Sequence, residues 1–414
     1  MSDTHLAPPT IALPGNFRFD QVPSMPPAAG RMIEALTSAP SLGPLAAFTG
    51  TFSGTGFNMI FRPQSTSTPT VLPKPAHGPS DNILELNLTS ESLAFSPSLG
   101  SVPNRGMVQG DIFLNGVPYF QTISDVTNGT PIGVHAEPGL WMSVPTTGDP
   151  TEPATVVRMA SIPHGTTICL QGTALGPIAG PPTIAPVDPT PFFDATRAPF
   201  RFPSQTAADN ATFRIPQDLA PFIAAGTITQ QILDDPNTIL RSHISGQKIV
   251  QTTVIEVASA PETPAGPLAV PAIGGGTDSI AFLTGNAGQP NAAVPVQQPG
   301  PSNRTLPGVK AIFWIETVEH TILVPIFTPG QEPLHVQAAP HPVTGQPGPI
   351  FVLHPPIPIP VPRPITVRST QIQYSQVVLL NFNGLSWPHV SVATLTPSSP
   401  VTVPPSVWEK LPTP

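Results

Sequence analysis

Apolar and polar residues alternate along much of the chain between residues 45 and 395. Alternation with a period of two is typical of β-strands that bury one face. Ten runs of this kind, separated by Gly, Pro, Asn and Ser, are the predicted strands: 45–63, 82–96, 106–124, 132–145, 154–174, 246–259, 278–286, 309–325, 365–384 and 387–395. The first five follow one another with short links, which predicts an antiparallel meander. About ten such strands predict a mainly β fold, a closed antiparallel β-barrel, because closure removes exposed strand edges.

The segments between these runs predict a single barrel domain, residues 45–395, with insertions. A proline-rich link at 176–212 precedes apolar spacing and Thr, Asp and Asn starts that are typical of short helices at about 215–245. The other predicted segments are an N-terminal proline-rich arm (1–44), two proline-rich loops (260–308 and 328–364) and a C-terminal tail (396–414). The run "HPPIPIPVPRP" in the second loop predicts polyproline II. It is either a ligand for SH3-like domains or a rigid surface strap, and the near absence of basic flanks favours the strap.

Composition narrows the class of protein. The 414 residues include 62 prolines and 33 glycines, and only 10% are charged. The net charge is −8 and the sequence contains no cluster of Lys or Arg residues, which argues against nucleic acid as a partner. The N-terminus lacks the basic and apolar regions of a signal peptide, and no run of about eighteen apolar residues occurs. We therefore expect a soluble cytoplasmic protein with no membrane partner.

The reactive residues are few. The single cysteine, Cys169, excludes an internal disulfide and a multi-cysteine metal site, and we interpret it as a small buried strand residue. The chain has no G-x-S-x-G, H-E-x-x-H or P-loop motif, so the common hydrolase, zincin and nucleotide-binding folds lack support. In "VHAEPGLW" (134–141), His135 and Glu137 share one face of a strand, and Pro138 with Gly139 is expected to break the ladder after them.

The last predicted strand also carries a histidine among small residues. Alternation gives one face with His389, Ser391, Ala393 and Leu395, and an opposite face with Val390, Val392 and Thr394. Small neighbours leave room for a flat ligand at the imidazole; the other interpretation is a core histidine bonded to a backbone carbonyl. The apolar opposite face needs a cover, either from the inserted segments or from a second subunit in a homodimer.

Several segments in the same order resemble the nitrobindin family, small heme-binding β-barrels related in shape to the fatty-acid-binding proteins. These segments are "GTFSGTG" (50–56), "GVPYFQTIS" (116–124), "VHAEPGLW" (134–141), "PHGTTICLQGTA" (163–174) and "PHVSVATL" (388–395). The chain departs from the family in having Phe52 in the place of a tryptophan, Pro138 in the place of a small hydroxyl residue, and no glutamate in the fourth segment. The resemblance covers about half of the chain.

The resemblance implies a b-type heme. It implies that His389 is the axial ligand of the heme iron and that His135 lies in the heme pocket, with Ser391 and Ala393 beside the ligand. In this family the ferric heme binds nitric oxide and converts peroxynitrite to nitrate, which is the expected isomerase activity. The alternatives are a metal-free carrier of a small hydrophobic ligand, a structural or interaction protein built around the proline-rich loops, and, more remotely, a cupin-type metal site.

Overall fold

Ten antiparallel strands form a closed β-barrel in the computed structural model, which describes residues 39–67, 69–104, 112–148, 151–162, 166–258 and 308–409. The strands are β1 (Gly50–Pro63), β2 (Asn82–Phe95), β3 (Ile112–Asp125), β4 (Ile132–Val144), β5 (Thr155–Ile162), β6 (Thr166–Ala179), β7 (Ile249–Ala258), β8 (Val309–Val324), β9 (Arg363–Phe382) and β10 (Leu385–Pro397). The mainly β barrel with a small helical insertion is therefore confirmed. The predicted strand at 278–286, most of the loop at 260–308 and most of the arm at 1–44 lie outside the described residues.

Each strand pairs with the next along the chain, and β10 pairs with β1 to close the barrel. The expected meander therefore runs through all ten strands. The β9–β10 hairpin has the two-residue loop Asn383–Gly384, with φ of +53° and +74°. Asn-Gly is the common sequence of such a turn because both positions require positive φ.

Two local predictions were wrong. The sequence predicts one strand over residues 154–174, but this run forms the two paired strands β5 and β6, because it is long enough to fold back on itself as a hairpin. The ladder does not break after Glu137, since Pro138 and Gly139 pair in register with β3. The bulge lies instead between Ile123 and Ser124.

One end of the barrel interior is filled by apolar side chains. A short 3₁₀ helix, Gly43–Ala47, precedes β1 and buries Leu45 there. Phe48 stacks on Phe95 with ring centroids 4.6 Å apart, and it lies 5.5 Å from the ring of Trp141. Such close packing of large rings closes this end of the barrel.

The outer wall of β1 and β10 is covered by the inserted segment. Its helices are α1 (Ala220–Ala225), α2 (Gln230–Asp234) and α3 (Thr238–Ile244). Val390 and Val392 are fully buried in the same cluster as Leu219 and Leu240 of the insertion. The sequence analysis expected this face to be covered either by the inserted segments or by a second subunit. In this structure the inserted segment covers it.

The predicted loop at 328–364 contains two short paired strands, Leu334–Gln337 and Ile350–Leu353. They pack with the tail helix α4 (Pro405–Trp408) on the ends of β8 and β9 that extend beyond the barrel. Ile359, in the polyproline run, is fully buried against Phe327, so this run packs on the protein as a strap does. Among the described residues, no helix has the length and hydropathy needed to cross a membrane.

Candidate functional site in the barrel interior

The candidate site is a layer of polar side chains that lies above the apolar end of the barrel. Alternation along the strands turns these side chains inward. His135 follows Glu137 and His389 follows Ser391 in the direction of the β3–β4 and β9–β10 turns. In an up-and-down barrel these two turns lie at the same end. Both histidines therefore lie toward the end of the barrel that is opposite the one filled by apolar side chains. We call this the histidine end.

A buried ion pair is the centre of the layer. Arg158 and Glu137 are 2% and 1% exposed, and Arg158 Nη2 lies 2.5 Å from Glu137 Oε1. Arg158 also donates from Nε to the hydroxyl of Tyr119 at 2.8 Å and from Nη1 to Gln376 Oε1 at 2.8 Å. The Tyr119 hydroxyl in turn donates to Glu137. One guanidinium group on β5 thus contacts side chains of three other strands, β3, β4 and β9, and its planar fork suits several acceptors.

The environment fixes the charges of this pair. Burial disfavours the ionised form of Glu137, but Arg158, with hydrogen bonds from His135 and Tyr119, outweighs burial and lowers its pKa to about 2. Burial would also disfavour the charged guanidinium, but Glu137 and Tyr119 reverse this effect and raise the pKa of Arg158. Burial raises the pKa of Tyr119. At neutral pH the unit is a carboxylate, a guanidinium and a neutral phenol.

A second carboxyl group lies beside the first. Glu91 Oε2 accepts hydrogen bonds from the Tyr374 hydroxyl at 2.7 Å and from Gln121 Nε2 at 3.2 Å, while Oε1 accepts one from Thr89 at 2.9 Å. Burial raises the pKa of Glu91 to about 6, although these three hydrogen bonds oppose the rise. The site therefore contains a carboxylate locked in the charged form and a carboxyl group that titrates near neutral pH.

Two glycines make room for these polar groups. A Cβ on Gly139 would lie 2.4 Å from Cζ of Tyr119, so the phenol occupies the space above this glycine. A Cβ on Gly56 would lie 2.8 Å from Glu91 Oε1 and 2.8 Å from Thr89 Oγ1. Close approach of another group is a usual reason for glycine within a strand.

His135 is oriented by the ion pair. Its Nε2 lies 3.1 Å from Glu137 Oε2, and its side chain is 20% exposed. A carboxylate bonded to one ring nitrogen sets the orientation and tautomer of an imidazole. Since Arg158 keeps Glu137 ionised, His135 has a permanent acceptor beside it.

His389 belongs to a separate group of three residues. Asn58 Nδ2 lies 2.9 Å from His389 Nε2 and 3.2 Å from the hydroxyl of Ser391, and that hydroxyl lies 3.5 Å from the same Nε2. An amide nitrogen donates and does not accept, so Nε2 is the acceptor and carries a lone pair. Asn58 Oδ1 is buried without a hydrogen-bond partner.

The sequence identified some of these residues and missed others. His135 and Glu137 are brought into contact, as are His389 and Ser391, whereas Ala393 lies deeper, in the apolar cluster. The missed residues are Asn58, Glu91, Tyr119, Arg158 and Tyr374. A signal existed in Arg158, because it is the one charged residue in the otherwise apolar and small run "TVVRMASI" (155–162). Its inward direction depends on a register that the run alone does not fix.

Comparison with known proteins adds no family: no protein family, curated protein or solved structure matches the chain. The architecture, a closed antiparallel barrel of ten strands, is compatible with a calycin-like barrel. Within the described part of the chain, no group of three or more His, Cys, Asp or Glu side chains could hold a metal ion by itself.

One feature of the surroundings of His389 favours metal binding by its imidazole, and another disfavours it. The lone pair on Nε2 is the form that coordination requires, and Ser391 is a small neighbour. The Asn58 amide, however, contacts the same nitrogen, so a metal at Nε2 requires that this amide turn away. The same nitrogen, Asn58 Nδ2, also donates to Ser391.

Proposed function

We propose that the histidine end of the barrel interior binds a b-type heme, with His389 as the axial ligand of the iron. The observation that carries the proposal is the contact between Asn58 Nδ2 and His389 Nε2, because it implies a neutral imidazole with its lone pair on Nε2. A neutral ring of this kind is the usual nitrogen ligand of heme iron. The resemblance to nitrobindins and the calycin-like barrel add support.

The chain would contribute position and charge to such a site. His135, held by Glu137, presents an oriented imidazole at the same end of the barrel. Arg158 neutralises Glu137, so the ion pair adds no net charge to the interior. The bound heme would supply an iron centre for nitric oxide and for the isomerisation of peroxynitrite to nitrate, a reaction in which no atom is gained or lost.

Titration of the heme-free full-length protein with hemin tests this proposal. The intense blue absorption band should saturate at about one heme per chain, and His389→Ala should weaken binding by more than about tenfold. His335→Ala, at an exposed position on a short strand outside the barrel, is the matched control and should bind as the wild type does. Equal hemin affinity in the wild type and His389→Ala, with unchanged far-ultraviolet circular dichroism, would reject the ligand assignment.

A metal-free carrier of a small hydrophobic ligand is the second candidate. The observation in its favour is that Nε2 of His389 already has a protein partner in Asn58. A carrier should bind an apolar fluorescent probe with the same affinity before and after hemin is added. Displacement of the probe by about one equivalent of hemin would instead favour the heme site.

A further inference from the structure

A carboxyl group is buried in the outer wall of the barrel, away from the interior site. Glu316 on β8 is fully buried, and it lies between Gln371 on β9 and Thr252 on β7. Its Oε2 accepts a hydrogen bond from Gln371 Nε2 at 2.6 Å, while its Oε1 is buried with no partner. Its chain neighbour Ile315 packs in the barrel core, so Glu316 faces the covering segment.

The partner of Glu316 also holds the covering segment in place. The amides of Gln371 and Gln247 form two reciprocal hydrogen bonds, each of 3.0 Å, and Gln247 lies three residues after the end of α3. Two residues further along β9, Gln373 Nε2 donates to the carbonyl of Leu240 in α3 at 3.1 Å. Segment 238–247 is thus attached to the wall by amides that lie over and beside Glu316.

Hydrogen-bonding capacity is left unmet at this contact. Besides Glu316 Oε1, the atoms Gln373 Oε1 and both ring nitrogens of His243 are buried without a partner. A protonated carboxyl group is a donor as well as an acceptor, so protonation changes what the unpartnered Oε1 of Glu316 requires. An ionised Glu316 would leave a buried charge without a cation.

The covering elements supply no compensating charge among the described residues. Arg241 and Lys248 are paired with Asp235 and Glu319. The other titratable groups of the covering elements near this contact are two histidines, His243 of α3 and His341 of the 328–364 loop. His341 meets His243 edge to face, with ring centroids 5.4 Å apart, and its Nε2 lies 2.5 Å from the His243 carbonyl. Burial, with a smaller contribution from His341, lowers the pKa of His243 to about 4, so that ring is neutral.

We propose that Glu316 on the barrel wall takes up one proton when segment 238–247 packs on it. Acid then stabilises this contact and alkali weakens it. Burial raises the pKa of Glu316 from 4.5 to about 8, with the Gln371 hydrogen bond opposing the rise. A pKa that is higher in the packed state means that packing is fully favoured below pH 4.5 and weakens up to about pH 8. The opening equilibrium should rise by up to about tenfold for each pH unit in this window.

Hydrogen exchange of the full-length protein, corrected for the intrinsic pH dependence of exchange, tests the proposal. Across the window from 4.5 to about 8, amides of 238–247 should lose protection by up to about tenfold per pH unit. Glu316→Gln should remove the slope. Glu85→Gln, which changes a partly exposed carboxylate on β2, should retain it.

The wild-type profile decides the question even if Glu316→Gln does not fold. A flat profile for amides of 238–247, or an equal slope in Glu316→Gln, would overturn the proposal. Infrared spectroscopy of the wild type gives a second measurement. A protonated-carboxyl band should remain above the pKa of Glu91, which is about 6, and disappear as the pH passes about 8. Loss of all such absorption by pH 6 would also overturn it.

Discussion

Arg158→Met should destabilise the barrel strongly at neutral pH and much less in acid. The substitution keeps an unbranched side chain of similar shape, but it removes the guanidinium group that contacts Glu137, Tyr119 and Gln376. Glu137, which is 1% exposed, would then be a buried carboxylate without its cation. Removing one partner of a buried pair typically costs about 3–5 kcal/mol.

The lowered pKa of Glu137 indicates the order of magnitude and the pH dependence of this stabilisation. The pKa of Glu137 falls from 4.5 to about 2 in the folded protein, which corresponds to about 3 kcal/mol at about 1.4 kcal/mol per pH unit. A lowered folded pKa means that this stabilisation is present above pH 4.5 and is lost as the pH falls toward 2. The difference between the wild type and Arg158→Met should therefore be about 3 kcal/mol at neutral pH and shrink in acid.

Urea unfolding followed by tryptophan fluorescence measures this difference, since Trp141 lies 5.8 Å from the guanidinium carbon. Arg62→Met is the matched control, because its ion pair with Glu85 is partly exposed and should contribute less than about 1 kcal/mol. A double variant, Arg158→Met with Glu137→Gln, should recover much of the lost stability because no buried charge remains. A loss below about 1 kcal/mol in Arg158→Met at neutral pH would refute the reasoning.

Two further predictions concern the same layer. Gly139→Ala should lower the free energy of unfolding, measured by thermal unfolding, by about 1–3 kcal/mol, because its Cβ would lie 2.4 Å from the Tyr119 ring. Gly133→Ala, on the same strand but in open space, should be close to neutral. Equal losses in the two variants would contradict the packing argument. Glu91 has a folded pKa raised from 4.5 to about 6, so its contribution is present below pH 4.5 and is lost as the pH rises through 6. Glu91→Gln should remove about 2 kcal/mol of pH dependence from urea unfolding over that interval, and an unchanged profile would show that Glu91 is not the titrating group.

The sequence predicted the barrel well because its signals are local. Alternation identified the strands, and on β10 it also assigned Ala393 to the interior and Val390 to the covered wall, as observed. The run 154–174 was misread because alternation continues through a hairpin that has no Asn-Gly turn. By contrast, Asn383–Gly384 marks the β9–β10 hairpin directly.

The candidate site was predicted only in part because its contacts join distant parts of the chain. His135 and Glu137 are two positions apart, so strand geometry alone places them together. Asn58 and His389 are separated by 331 positions, and their contact depends on the closure of β1 against β10. The pairing of Arg158 with Glu137 likewise depends on the β4–β5 register, which alternation does not determine.

The most direct test of the heme proposal is imidazole rescue of His389→Gly. The account predicts that the wild type binds about one hemin with the spectrum of a histidine-ligated heme, that His389→Gly loses this spectrum, and that free imidazole restores it. Asn58→Ala is the control. It retains His389 and should bind hemin without added imidazole, because the hydrogen bond from Asn58 to His389 is lost when iron binds. Free imidazole should therefore not change its heme spectrum. A wild type that takes up no hemin, or a His389→Gly variant whose heme spectrum equals that of the wild type without imidazole, would contradict the account.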